Sequence, residues 1–257
     1  FIFERFNKYK PIFKSGFFIM FGTVLFTLFF DTGRWMSKLF TSNEDFAKYS
    51  LSISLIGFIV IFVTAINKTF YPFLYRNNSN EIIQKCKSIL YIIGSFSLIG
   101  FFFLKIIIIL FLPKYVESLP ITAILMTSIP GMIIINSIYV NLYKVQKKEN
   151  LFLYDSIFYL IIGVVLNFSF YFLFKTLTSI SIASVISVYI WTIFPRNCIK
   201  INIIEVANEV LYIILVIIAF GFVYAMDFNL ISSICILTAL LMLLTYLFFK
   251  RFIKNFF

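Results

Sequence analysis

The chain alternates between long apolar stretches and short polar breaks, and this alternation is its most regular feature. A helix that crosses the hydrocarbon core of a bilayer needs about 20 mostly apolar residues. We therefore predict an all-α, polytopic transmembrane helix bundle of about eight spans. The predicted spans are 15–40, 46–75, 83–112, 119–143, 152–174, 180–198, 210–226 and 228–249.

Composition supports this prediction and excludes several classes of protein. Hydrophobic residues make up 61% of the chain and charged residues 13%, which is more apolar surface than a soluble domain of this size can bury. The net charge of +11 does not indicate nucleic-acid binding, because the basic residues lie in short clusters between the apolar stretches. Histidine is absent, and the three cysteines lack metal-ligand spacing. We therefore expect no metal, no cofactor and no histidine-dependent catalysis.

The loops between the predicted spans differ in charge, and the difference predicts an orientation. Cytoplasmic loops of membrane proteins carry an excess of lysine and arginine. One set of loops, which includes both ends of the chain, holds fifteen basic residues: Arg5, Lys8, Lys10, Lys14, Arg76, Lys85, Lys87, Lys144, Lys147, Lys148, Arg196, Lys200, Lys250, Arg251 and Lys254. The opposite loops hold five: Arg34, Lys38, Lys48, Lys114 and Lys175. We therefore expect both termini to be cytoplasmic.

Ionisable and amide side chains inside the predicted spans are the candidate functional residues, because a charge at the centre of a membrane helix costs about 2.5–3.5 kcal/mol on insertion scales. Asp31 and Arg34 are three residues apart, so they share one face of the first span. They either line a cavity for a charged substrate or a coupling cation, or lie at the outer interface as a snorkelling pair. Lys68 with Asn67 in the second span, and Lys105 in the third, have the same two interpretations.

Other polar residues within the spans have simpler expected roles. The amides Asn136, Asn141 and Asn167 are expected to form hydrogen bonds between helices. Asp155 is expected to be a carboxylate at the cytoplasmic N-terminus of the fifth helix. The pair Pro130–Gly131 predicts a kink in the fourth span, a feature common in transporters that alternate between states. Cys235, within an apolar stretch, is expected to be a small packing residue.

The order of these features resembles a known family of membrane transporters. The motifs that carry the resemblance are Asp31-Thr-Gly-Arg34, Tyr49-Ser50, Tyr71-Pro72-Phe73-Leu74, Leu112-Pro113-Lys114-Tyr115, the lysine-rich Tyr143–Lys148 and Leu166-Asn167. On these motifs the chain looks like the C-terminal part of a polysaccharide repeat-unit flippase of the O-antigen or capsule type. That type belongs to the superfamily that also holds the MATE multidrug exporters and the lipid II flippases.

The resemblance implies an organisation for the chain. Residues 1–200 would form a six-helix, MATE-like lobe, and residues 201–257 would add two accessory helices. The chain begins with Phe1 and a basic segment without the apolar core of a signal peptide. We therefore expect it to be the later part of a longer protein whose N-terminal lobe is absent here.

The resemblance also implies a function. The protein would flip oligosaccharide units linked to undecaprenyl diphosphate across the bacterial inner membrane, for surface polysaccharide assembly. Arg34, Lys68, Lys105 and Asn67 would bind the substrate, and Asp31 would orient Arg34 or bind a coupling ion. Expected partners are the lipid-linked oligosaccharide, membrane lipids, the N-terminal lobe and a polysaccharide polymerase. The alternatives are an exporter of drugs or small molecules with the same fold, and a membrane polysaccharide polymerase or ligase. Short outer loops and the absence of histidine argue against such an enzyme.

Overall fold

The computed structural model describes residues 2–76, 79–195, 203–226 and 228–253. Side chains are described throughout these ranges except at 2–12, 62–67, 203–204 and 251–253. Within these ranges the chain is all-α, as predicted, and contains no strand. Some residues named above lie outside the described backbone: Phe1, Arg196, Cys198, Lys200 and Lys254. For others only the side chain lies outside the described set: Arg5, Lys8, Lys10, Asn67 and Arg251.

The described helices follow the predicted spans closely along the chain. They are α1 (Ile2–Phe40), α2 (Asn43–Arg76), α3 (Asn80–Ser97), α4 (Gly100–Phe111), a 3₁₀ turn (Pro113–Ser118), α5 (Leu119–Met126), α6 (Ile129–Ile134), a π-helical turn (Ile135–Tyr139), α7 (Val140–Val145), α8 (Glu149–Phe174), α9 (Leu177–Ile193), α10 (Ile203–Ala225) and α11 (Leu230–Ile253).

Five helical segments of the described chain are long and apolar enough to cross a membrane: Phe13–Phe40, Asn80–Phe111, Glu149–Phe174, Glu205–Ala225 and Leu230–Lys250. A bent pair, Pro113–Met126 with Ile129–Val145, makes a sixth if it counts as one span. These segments support a multi-pass membrane protein. The larger count of about eight crossings stays a prediction. It depends on α2, in which the side chains of 62–67 lie outside the described set, and on α9, which is 17 residues long.

Local sequence explains where several helices begin and end. The Ser79 hydroxyl accepts a hydrogen bond from the Ile82 amide at the start of α3, and Thr176 caps α9 through the Ser179 amide. Such caps satisfy amides that have no partner within the helix. Helix α8 ends at Phe174, and the next residue, Lys175, adopts a left-handed conformation with φ 51°.

The predicted kink at Pro130–Gly131 is present, since α5 and α6 meet at a bend of 48°. Proline has no amide hydrogen, so Pro130 cannot complete the helical hydrogen bond at this level. The Tyr189 hydroxyl of α9 donates to the Thr127 carbonyl at the bend, at 2.5 Å. At Gly94 of α3 a Cβ atom would lie 2.6 Å from Pro130 Cα, so α3 and α6 approach closely here.

The bundle packs around a core of aromatic and branched aliphatic side chains. Helix α1 lies along α8 and α9, α2 packs on α5 and the π-helical turn, and α3 packs on α6. Trp191 of α9 stacks on Tyr159 of α8 with ring centroids 4.5 Å apart, and Phe29 of α1 meets Trp191 edge-on. The α10–α11 hairpin packs against α3 and α4, so the two helices predicted as accessory share one core with the rest of the bundle.

Candidate functional site

A cavity of about 350 Å³ lies between α1, α2, α9 and the bent segment from α5 to the π-helical turn. Its walls are mainly apolar and aromatic, and one ionisable side chain, Asp31, is among its described lining residues. The lining residues are Phe26, Thr27, Phe29, Phe30, Asp31, Ile53, Ile56, Gly57, Val60, Leu125, Ser128, Met132, Asn136, Ser184 and Val188. A mostly apolar pocket with a few convergent polar groups is the usual form of a ligand site.

Arg34 lies beside Asp31, with its Nη1 atom 3.6 Å from Asp31 Oδ1. Both side chains are about one-third exposed, at 33% and 30%. Arg34 Nη2 donates to the Ser50 carbonyl and to Ser54 Oγ of α2, each at 3.4 Å, and its Nε has no hydrogen-bond partner. These contacts are long for charge-assisted hydrogen bonds, which are usually about 2.7–2.9 Å. The guanidinium therefore keeps hydrogen-bonding capacity for a ligand.

The other predicted substrate-binding residues do not join this pair. Lys68 is exposed on α2, three to four helical turns beyond Ser54, which is roughly 20 Å at about 1.5 Å per residue. Lys105 is half-buried on α4, which packs against α5 and α11, and it is not among the residues that line the cavity. The Asn67 side chain lies outside the described residues. The structure thus brings together Asp31 and Arg34 of the predicted set.

Behind the ion pair, a chain of buried and half-buried polar groups joins four helices. The Tyr49 hydroxyl of α2 lies 3.1 Å from Ser184 Oγ of α9, and Ser184 Oγ donates to Asn167 Oδ1 of α8 at 3.0 Å. Asn167 Nδ2 in turn donates to Thr32 Oγ1 of α1 at 3.4 Å. The prediction that Asn167 forms an interhelical hydrogen bond is therefore confirmed. The roles of Tyr49 and Ser184 were missed, because these two residues are 135 positions apart.

A second ion pair lies between α3 and α10. Lys87 Nζ is 2.6 Å from Glu209 Oε2, and the two side chains are only 5% and 10% exposed. Glu209 also accepts a hydrogen bond from Gln84 Nε2 at 3.2 Å, and the Tyr91 hydroxyl approaches it at 3.5 Å. The placement of Lys87 among the loop cations was wrong, since it lies within α3 and its charge is neutralised inside the bundle. In the sequence, the sign of a buried ion pair is the carboxylate of Glu209, which lies two turns into the mostly apolar α10.

The positions of three more residues in the structure differ from the predictions or add to them. Asp155 is not at an exposed helix N-terminus but is buried two turns into α8, where the Tyr143 hydroxyl donates to its carboxylate. Its burial follows from the packing of α7 on α8. Cys235 is exposed on α11 rather than packed. Asn136 is half-buried and lines the cavity.

No protein-family model, no curated protein and no solved structure matches this chain. The resemblance to flippases therefore rests on the motifs quoted above, and a function has to be argued from the site itself.

Proposed function

We propose that this protein is a membrane transporter that flips lipid-linked oligosaccharide units across the bacterial inner membrane. The observation that carries the proposal is the Asp31–Arg34 pair, which is one-third exposed beside a cavity within a bundle of apolar helices. An ionisable pair in such surroundings is costly, and a membrane protein usually keeps one where it meets water, an ion or a substrate.

The chemistry of the pair suits a head group made of sugar and diphosphate. A guanidinium binds phosphate oxygens through two parallel hydrogen bonds, and Arg34 has long, weak contacts that a phosphate could replace. The Asp31 carboxylate, the Asn136 amide and the Ser128 and Ser184 hydroxyls can all bond sugar hydroxyls. The isoprenoid tail would stay in the bilayer, where it needs no protein partner.

The bent helix gives this proposal a means of alternating access. Ser128, Met132 and Asn136 all line the cavity, and they lie at or just beyond the 48° bend. A change in the bend would therefore move one wall of the cavity relative to α1. Broken helices of this kind surround the substrate sites of many secondary transporters. The π-helical turn at Ile135–Tyr139 adds a second irregularity to the same wall.

The remaining parts of the proposal follow from the resemblance and from the loop charges. Both termini would be cytoplasmic, and the cavity would face an N-terminal lobe of the same protein. A polysaccharide polymerase would receive the flipped unit on the outer side. The protein would carry out no covalent chemistry of its own.

A second candidate function is the export of organic cations. It is favoured by the identity of the ionisable residue that lines the cavity, because the Asp31 carboxylate would attract a cation and repel a phosphate. Aromatic walls from Phe26, Phe29 and Phe30 would also suit a flat or quaternary cation.

Two substitutions, Arg34→Ala and Asp31→Asn, separate the two candidates. Arg34→Ala, made at the native locus, should abolish surface polysaccharide and leave lipid-linked units on the inner leaflet, while the protein still inserts in normal amounts. Lys114→Ala, which removes an exposed cation from the 3₁₀ turn, is the matched control and should have no effect. Normal surface polysaccharide in the Arg34→Ala strain would contradict the flippase. Loss of tetraphenylphosphonium efflux in an Asp31→Asn strain with intact polysaccharide would favour the cation exporter.

A further inference from the structure

Proton positions can be assigned along the buried polar chain that starts at Tyr49. An amide oxygen only accepts hydrogen bonds, so Ser184 must use its single proton on Asn167 Oδ1. Ser184 Oγ is then the acceptor for the Tyr49 hydroxyl. Asn167 Nδ2 donates to Thr32 Oγ1, and Thr32 donates to the Phe29 carbonyl at 2.9 Å. Each member thus donates one hydrogen bond in the same direction, from α2 through α9 and α8 to the backbone of α1, and the other hydrogen of Asn167 Nδ2 goes to the Gly163 carbonyl of α8 at 2.8 Å.

Gly33 lets this chain approach α1 closely. A Cβ atom at position 33 would overlap the Tyr49 hydroxyl and would lie 2.5 Å from Ser184 Oγ. Real Cβ atoms do not come so close to other heavy atoms, so any larger residue would push α2 or α9 away from α1. Gly33 and Thr32 lie between Asp31 and Arg34 in the sequence. The chain of hydrogen bonds therefore contacts the same helical turn that carries the ion pair.

This contact helps to set the rotation of α1 about its own axis, together with the packing of α1 along α8. Successive residues of a helix are about 100° apart, so holding Thr32 and Gly33 sets the directions of Asp31 and Arg34. In the observed rotation Asp31 lines the cavity and Arg34 reaches Ser50, the residue next to Tyr49. One turn of α2 therefore contacts both α1, through Tyr49, and the guanidinium, through the Ser50 carbonyl.

We propose that Tyr49 is a positioning residue for the Asp31–Arg34 pair, acting through Gly33 and Ser184. The inference rests on the proposed transport function for its consequence, but its geometry can be tested without a substrate. Ser184 also lines the cavity, so a ligand that contacts its hydroxyl touches the same chain that orients the pair. Removing the Tyr49 hydroxyl should change where residue 31 points while leaving the aromatic packing in place.

The test measures the accessibility of position 31. Asp31→Cys is made in a full-length chain whose Cys86, Cys198 and Cys235 are replaced by alanine, and it is labelled in membranes with an impermeant thiol reagent. Adding Tyr49→Phe should change the labelling rate by about five- to tenfold, the effect of losing one buried hydrogen bond. Tyr71→Phe, which alters an exposed tyrosine on the same helix, should leave the rate unchanged. Equal rates with Tyr49→Phe and with Tyr71→Phe would overturn the inference.

Two further measurements separate positioning from simple loss of folding. Ser95→Cys reports on a buried position in α3, and it should stay unlabelled in the Tyr49→Phe background. Labelling of Ser95→Cys there would mean general loosening and would also overturn the inference. Gly33→Ala should change labelling at position 31 more strongly than Tyr49→Phe. Combining the two should give less than the product of their effects, because the shortest clash of the new Cβ atom, with the Tyr49 hydroxyl, is gone while those with Ser184 Oγ and the Tyr49 ring remain. These rates do not depend on transport, so the proposed flippase could fail while this inference holds.

Discussion

Two ion pairs in the described part of the chain, Lys87–Glu209 and Asp31–Arg34, differ in almost every physical respect. Lys87 and Glu209 lie on separate helices, 2.6 Å apart and nearly excluded from solvent, with further polar partners around the carboxylate. Asp31 and Arg34 lie on one helix, 3.6 Å apart and one-third exposed beside a cavity, and Arg34 makes only long contacts to α2. The charged groups of Lys87 and Glu209 are hydrogen-bonded within the bundle, whereas the Arg34 guanidinium keeps hydrogen-bonding capacity for a ligand.

The comparison indicates how a charged pair in an apolar bundle can be assigned a role. A buried pair between helices contributes to the fixed packing of those helices, and removing one partner leaves an uncompensated charge. A partly exposed pair within one helix contributes little to stability, as surface pairs do. Because placing two charged groups in an apolar bundle is costly and is not offset by stability, such a pair indicates a role other than packing. On this basis we assign Lys87–Glu209 to the attachment of α10 and Asp31–Arg34 to ligand binding.

The largest effect on stability is expected from Lys87→Met. This change leaves the Glu209 carboxylate buried without its cation, which typically costs about 3–5 kcal/mol. The melting temperature of the purified protein in detergent should fall accordingly. Adding Glu209→Leu should restore most of the loss, because two apolar side chains of similar size can replace a buried pair. A melting temperature unchanged by Lys87→Met would contradict the structural role of this pair.

A smaller effect is expected where the bent helix meets α3. In Gly94→Ala the new Cβ atom would lie 2.6 Å from Pro130 Cα, and overpacking of this kind costs about 1–3 kcal/mol. Gly16→Ala is the matched control, since nothing lies within 4 Å of its Cβ position. It should be neutral or slightly stabilising, because alanine favours helix over glycine. Equal melting temperatures for the two variants would rule out close contact at the bend.

The smallest effect on stability is expected at the cavity. Asp31→Cys removes one partner of a partly exposed pair, so we expect a change below about 1 kcal/mol in the free energy of unfolding. Thermal unfolding of the variant and of its cysteine-free parent measures this directly. A loss as large as that of Lys87→Met would mean that both pairs are structural, and the contrast between them would disappear.

The sequence predicted those features that depend on short-range periodicity. Apolar stretches located the helices, Pro130–Gly131 predicted the bend, and the spacing of Asp31 and Arg34 predicted a shared face. Contacts between helices could not be predicted in the same way, because a helix pattern gives the buried face without naming its partner. Lys87 is counted with the loop cations for this reason, because nothing near it in the sequence points to its partner Glu209, 122 residues away.

The candidate site was predicted only in part for the same reason. Arg34, Lys68 and Lys105 look alike in a sequence, since each is a cation within an apolar stretch. Their positions differ because α2 and α4 present different faces and levels to the rest of the bundle. The polar chain from Tyr49 to Thr32 depends on four helices meeting at one level, which only the folded structure defines.

The most direct test of ligand binding at the cavity is protection of Thr27 by substrate. Thr27 lines the cavity one turn before Asp31, and replacing it leaves both Asp31 and Arg34 in place. Thr27→Cys, made in the chain whose other cysteines are replaced by alanine, should react in membranes with an impermeant thiol reagent, and adding lipid-linked oligosaccharide should slow that reaction several-fold. Ser95→Cys, buried on α3 about two turns from Lys87, should not react with or without substrate. Failure of Thr27→Cys to react, or reaction at the same rate when the substrate is present, would contradict the assignment of Asp31 and Arg34 to ligand binding.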